Sequence, residues 1–306
     1  MAFELPTIDF MGRRKMAAVA SALLVIVTIV ALAIGGINRG LDFTGGALVE
    51  VGFATPVEPV TVRSVLDDAG LTGGVVQNYG SETELLVRMP PVTGVDQSDL
   101  GTEVAAALAR AFPGVDLRRS EFVGPAVGEE LTEKGGMALL VALAAVMLYI
   151  MFRFTGKFAV GAVVALAHDV LIVVGAFAVF RWTFGLAELA ALLAVIGYSL
   201  NDTIVVSDRI RENFRSVRRG TPVEIINRSL NQMLGRTLVT SLTTLLVLLA
   251  LLIAGGEQIT GFATALTIGV MVGTYSSIYV AANVLLTMGI TRQDLALPEK
   301  ESAETP

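Results

Sequence analysis

The 306-residue sequence contains no cysteine and a single histidine, His168. The first absence excludes disulfides, thiol nucleophiles, cysteine zinc sites and iron–sulfur clusters. The second leaves no histidine cluster for a metal, and neither a metal nor a cofactor is expected. Charge is also scarce, with 16% of residues Asp, Glu, Lys or Arg and a net charge of −6. That balance lacks the basic surface that nucleic acid selects, so no nucleic-acid partner is expected. What is abundant is apolar: 54% of the residues are hydrophobic and the mean hydropathy is +0.70. This is the composition of an integral membrane protein.

A hydrocarbon core of about 30 Å takes about 20 apolar helical residues to cross. Six runs qualify, at 16–36, 135–152, 158–180, 186–206, 234–254 and 260–288. Arg13, Arg14 and Lys15 precede the first, Arg153 and Lys157 separate the second from the third, and Arg209, Arg211, Arg215, Arg218, Arg219 and Arg228 lie in the connection 207–233. The positive-inside rule then predicts that both termini, 1–15 and 291–306, are cytoplasmic, the last stretch being disordered, and that 37–134 is extracytoplasmic. The first run is read as an anchor; a cleaved signal peptide is the alternative, but its apolar region would span about 7–15 residues.

Residues 37–134 hold no long apolar run. Strands are predicted at 46–53, 74–78, 84–89 and 115–123, and helices at 60–69 and 97–112, the second capped near Asp96. The order βαββαβ is that of a ferredoxin-like α+β domain. No nucleophile stands beside a base there, so binding of a chain or partner is expected rather than catalysis.

A charge retained in the bilayer costs about 2.5–3.5 kcal/mol or more and marks a functional hypothesis. Asp169, beside His168, lies eleven residues into the third run, and Asp202 lies in the fourth. On the fourth helix Val195, Ser199, Asp202 and Val206 share a face. Arg236 begins the fifth run, with Thr240, Thr243 and Thr244 continuing its face, so an Asp202–Arg236 pair and a polar stripe lining a hydrated path are expected. Two readings stand: a static pair locking two helices, or an ion-coupled site at Asp202 and Arg236, with Asp169, His168, Ser199 and Thr240 as further candidates. An intramembrane aspartyl protease is a third. Its Gly-x-Gly-Asp signature is missing where the chain reads Leu166-Ala167-His168-Asp169 and Ser199-Leu200-Asn201-Asp202.

In the sixth run Gly261, Ala265, Gly269, Gly273, Ser277 and Ala281 recur every fourth residue, a flat face for close helix packing, preferably within the chain. Thr221-Pro222-Val223-Glu224 is a capping box with proline at the first helical position, so a helix is predicted from Pro222. The arginines of the preceding stretch suit attraction to anionic membrane lipids.

The chain resembles the SecF family, the smaller membrane subunits of the bacterial accessory protein translocase. The resemblance rests on Gly40-Leu41-Asp42-Phe43-Thr44-Gly45-Gly46, Val123-Gly124-Pro125 and His168-Asp169-Val170. It rests further on the run from Gly197 to Val206 with Asp208-Arg209-Ile210-Arg211-Glu212-Asn213, on Ser229-Leu230-Asn231-Gln232 and on Arg236-Thr237. It implies six spanning helices in an arrangement similar to the resistance–nodulation–division transporters. It also implies a pseudo-symmetric partner, SecD, and use of the proton or sodium motive force to draw an unfolded secretory chain outward after the SecYEG channel and its ATPase. Asp202 and Arg236 match the family's ion-pathway pair. Asp42, Gly45 and Gly46 belong to its glycine motif, to which the residues themselves assign only a turn. The alternative is half of an ion-driven exporter of lipids or small molecules; its relatives usually carry larger external domains.

Overall fold

The computed structural model describes residues 7–292 and 294, apart from 93–95, 97, 155 and 218. The expected disordered tail lies, from 295 on, outside the described residues, as does Gln97, the expected first residue of the second small helix. Among the described residues six helical stretches are long and apolar enough to cross a membrane.

The first described element is a 3-10 turn, Met11–Arg13, that leads into α1 (Arg14–Gly35). A two-residue strand β1 (Asn38–Arg39) and a single turn α2 (Leu41–Thr44) follow. The small domain then runs β2 (Gly46–Gly52), α3 (Pro59–Asp68), β3 (Val75–Tyr79), β4 (Ser81–Met89), α4 (Leu100–Ala111) and β5 (Asp116–Val123). Its strands order as β3-β4-β2-β5, every neighbouring pair antiparallel. Alternation sends Ala47, Val49, Val51, Leu85, Val87 and Met89 to one face. There they close against Val62 and Leu66 of α3 and Leu100, Val104 and Leu108 of α4. Truncating any of the large members to alanine costs about 2–5 kcal/mol. Helix α4 starts later than predicted because Asp96 accepts from the Ser98 N–H and hydroxyl, closing a turn ahead of the helix.

The remaining helices are α5 (Pro125–Arg153), α6 (Gly156–Phe180), α7 (Leu186–Ser216), α8 (Pro222–Ala254) and α9 (Glu257–Ser276). A two-residue strand β6 (Thr183–Phe184) separates α6 from α7 and pairs in parallel with β1. The sixth apolar stretch is not one regular helix. After α9 it passes through a π turn, Ser277–Ala281, into α10 (Ala282–Thr287). Two other boundaries differ from expectation. Helix α5 begins at Pro125, ten residues before its apolar run, since proline is pre-organised for a first helical position. Helix α7 extends through Ser216, ten residues beyond its apolar run and into the connection expected from 207, while α8 begins at Pro222 as predicted. The Thr221 and Glu224 side chains cap α8 reciprocally, as predicted.

Helices α6, α7 and α9 form the centre, while α1, α5 and α8 expose most of their apolar length. The small-residue stripe of α9 is spent inside the chain. A Cβ on Gly261 would strike Glu188, one on Gly269 would strike Val195, and one on Gly273 would lie 3.0 Å from the Ser199 Cβ. Helix α9 therefore lies along a single face of α7, and this close approach positions the polar groups described next.

Candidate functional site

Two carboxylates stand inside the bundle, each held by hydroxyl groups. Asp169 of α6 is fully buried. Its Oδ2 accepts from the Ser199 hydroxyl at 2.5 Å and the Ser276 hydroxyl at 2.7 Å. Its Oδ1 lies 3.0 Å from His168 Nδ1. The other ring nitrogen, His168 Nε2, is buried with no hydrogen-bond partner, and the ring lies beside Tyr275. The tyrosine in turn donates to the Ala17 carbonyl of α1 at 2.8 Å.

Asp202 of α7 is half-buried. Its Oδ1 accepts from Thr237 at 2.8 Å and its Oδ2 from Ser277 at 2.5 Å. Two expectations need correction here. Arg236 forms no ion pair with Asp202 within 4.0 Å; its side chain is exposed, although near enough for its charge to act on the carboxylate. The helix turns about 100° per residue, so the inward position on α8 falls to Thr237. Nor does Ser199 act with Asp202. Residues three apart differ by about 60° around a helix, and that angle aims Ser199 at α6 instead. The Thr240 hydroxyl donates to Arg236 O, Thr243 to Val239 O and Thr244 to Thr240 O, so these groups satisfy their own helix.

The serines of the sixth stretch and Thr237 were missed as ligands of the carboxylates. Ser277 was counted only as a small residue of the stripe. Adjacent hydroxyls within a run otherwise apolar were the available signal. Around Asp202, Ser241 accepts from Tyr198 at 3.2 Å and lies 2.6 Å from the Thr274 hydroxyl, so a polar seam joins α7, α8 and α9.

At the sheet end, Asp42 does more than shape a turn. Its Oδ2 accepts the Leu186 N–H at 2.9 Å, while Glu188 Oε2 accepts the Gly185 N–H at 2.7 Å. Two carboxylates thus serve the orphan donors at the start of α7, where the helix dipole favours negative charge. The glycines are required by backbone geometry. Gly45 has φ +68° and Gly46 has φ +116°. A Cβ on Gly45 would lie 2.8 Å from Pro125 Cα, and one on Gly46 would collide with the Met89 carbonyl oxygen. The motif thus binds the starts of β2, α5 and α7 at one point. The open face of the sheet looks onto a cavity of about 630 Å³, lined among others by Leu86, Arg88, Arg119, Phe177, Trp182 and Thr260. Arg88 donates to the Thr183 hydroxyl at 2.9 Å. Burial lowers the Arg88 pKa, and the Asp42 charge opposes that shift.

At the opposite end the motif residues interlock. Asn213 donates to Ser229 Oγ at 2.8 Å and Gln232 Oε1 at 2.7 Å, and Arg209 reaches the same Gln232 oxygen at 2.8 Å. Asn231 exchanges hydrogen bonds with the Ile8 backbone, which holds the start of the chain on α8.

Residues 103–291 match the family model for the C-terminal region of the protein export membrane proteins SecD/SecF, and residues 30–57 match the SecD/SecF GG motif. The protein translocase subunit SecF of Vibrio alginolyticus is 50% identical, over 97% of this chain and 96% of its own length. The SecF of Pseudomonas aeruginosa is 47% identical over 98% and 97%. Among solved structures, SecDF of Thermus thermophilus, a translocon-associated membrane protein, superposes with a TM-score of 0.85 at 40% identity. The alignment takes in 94% of this chain and 39% of that one, so the chain spans about two fifths of SecDF. SecDF in the super-membrane-facing form gives a TM-score of 0.70 at the same identity. With its six apolar helices, its glycine motif and its near full-length similarity to SecF, the chain is a multi-pass membrane protein that belongs to the SecD/SecF family of protein export membrane proteins.

Proposed function

We propose that the chain is the cation-driven subunit of an accessory Sec complex in the cytoplasmic membrane, working with SecD downstream of the SecYEG channel and its ATPase on unfolded secretory chains. In this reading both termini are cytoplasmic and residues 37–134 extracytoplasmic, which the arginine distribution supports. The cation is a proton or a sodium ion, taken up at Asp202 under the influence of Arg236. No bond chemistry is assigned to the subunit.

The observation that carries this reading is Asp202 itself. Two hydroxyl donors, from Thr237 and Ser277, hold its oxygens inside an apolar bundle, while the Arg236 charge stands near without pairing. A locked ion pair would resist neutralisation; a carboxylate held by hydroxyls accepts a proton and keeps its contacts, because a hydroxyl both donates and accepts. Asp202 is carried by α7, whose first turn is capped by Asp42 of the glycine motif leading into β2. About 24 Å of continuous helix separates Leu186 from Asp202 at 1.5 Å per residue, a rigid element that joins the carboxylate to the small domain. The unequal superposition on the two SecDF structures is in keeping with a family that takes more than one arrangement.

The test uses inverted membrane vesicles carrying the chain with SecD and the Sec channel, and follows completion of precursor export with and without an imposed proton or sodium gradient. The gradient's benefit is expected to vanish in Asp202→Asn with assembly unchanged. Full gradient stimulation in that variant would overturn the reading.

A further inference from the structure

The two carboxylates meet at one peptide unit of the sixth stretch. Ser276, the last residue of α9, donates to Asp169, and Ser277, the first of the π turn, donates to Asp202. Successive helical positions point about 100° apart, so neighbouring serines reach α6 and α7 separately. Each hydroxyl also has a second acceptor on its own helix: Gly273 O is 3.2 Å from Ser276 Oγ, and Thr274 O is 3.0 Å from Ser277 Oγ. A hydroxyl has one proton and must choose between them.

We infer that Ser276 and Ser277 are a positioning pair that couples the two carboxylates, so that neutralising one by a proton resets the hydrogen bonds of the other. This rests on the cation-driven reading above. When a solvent proton arrives on Asp202 Oδ2, the new O–H donates to Ser277 Oγ, and the serine proton turns to Thr274 O. That contact draws on the helix where it passes from α to π geometry. π turns are frequent at functional sites, being local irregularities that the surrounding structure must hold in place. The adjoining residue is Ser276, so the rearrangement reaches a hydroxyl that, together with that of Ser199, donates to Asp169 Oδ2. Among the described residues, the titratable groups facing this region are His168 on α6, Tyr198 on α7, Arg236 on α8, Tyr275 on α9 and Tyr279 in the π turn. None of them bridges the two carboxylates; the serine pair does.

The experiment measures the carboxylic-acid infrared band of each aspartate in the full chain with SecD in lipid vesicles as pH is varied. The bands are assigned by subtracting Asp169→Asn and Asp202→Asn spectra. Coupling is reciprocal, so each substitution is expected to move the other band's midpoint by the same amount, about half a pH unit or more. Ser277→Ala should remove most of that mutual shift and Ser277→Thr should keep it, which separates a lost hydroxyl from a misfolded chain. A mutual shift unchanged in both Ser276→Ala and Ser277→Ala would overturn the inference, since the coupling would then be charge acting through space. The absence of any mutual shift would overturn it too. Export is not the readout here: gradient-stimulated export without a mutual shift contradicts only the serine coupling, and coupling without gradient stimulation contradicts only the transport reading.

Discussion

Thr237 donates its hydroxyl to Asp202 across the α7–α8 contact at 2.8 Å, while Arg236, one residue earlier, is exposed and makes no ion pair with it within 4.0 Å. The hydrogen bond from the threonine orients the carboxylate. Thr237→Val removes the hydroxyl at nearly constant volume, whereas Thr237→Ser retains it. The valine variant should lose gradient-stimulated export and the serine variant should retain it, with both chains accumulating normally. A valine variant with full stimulation would remove Thr237 from the site.

Gly46 has a positive φ and no room for a Cβ beside the Met89 carbonyl. Gly70 also has a positive φ, but nothing lies within 4 Å of its absent Cβ. Gly70→Ala should therefore cost only the left-handed backbone penalty, about 1–3 kcal/mol, and Gly46→Ala more than that. Thermal unfolding of the two variants in detergent checks the order. Equal losses would show that the contact at Met89 relaxes without cost.

Asp42 caps α7 from far along the chain. Replacing it with alanine should cost about 1 kcal/mol at the first turn of α7, while Asp42→Asn, which keeps an acceptor oxygen, should cost less. Hydrogen exchange at the Leu186 amide reads this directly: faster in the alanine variant, near wild type in the asparagine variant.

Asp294 closes the end of the described chain. It accepts from Lys157 at 2.8 Å, from the Thr291 N–H at 2.7 Å and from the Thr291 hydroxyl at 2.8 Å. These donors, Lys157 foremost, hold its carboxyl down to about 2 from an ordinary 3.8. A depressed carboxylate contributes stability above its unfolded pKa and loses it as pH falls through the folded one. Protection of the Gly289 to Thr291 amides should therefore be full above about pH 4 and fall toward pH 2. Asp294→Asn should remove that acid transition, and a transition unchanged in the variant would assign it to another group.

The helices were legible because an apolar run of bilayer length has few alternatives. Asp169 and Asp202 were legible as anomalies within such runs. Their partners were not, because they depend on how helices cross. Ser199 and Asp202 share a helical face, yet the 60° between them was enough to give each a different neighbour. Arg236 stood out by its charge, but the residue that touches Asp202 is the neutral threonine beside it. Asp42 is paired with a backbone N–H 144 positions away, a relation that no local pattern encodes. The glycines of that motif read correctly as conformational necessities, and only the structure adds that their close approach joins β2 to α5 and α7.

We propose that, through the rigid α7, the charge on Asp202 governs the position of the small domain. Because the chain has no cysteine, two introduced ones suffice to label it. Spin labels at Asp67→Cys on α3 and Thr260→Cys on α9 report the distance between the small domain and the bundle, in vesicles with SecD and with or without a cation gradient. The account predicts a distance distribution that shifts with the gradient in the otherwise wild-type chain and stays fixed in Asp202→Asn. An equal shift in both chains would contradict it.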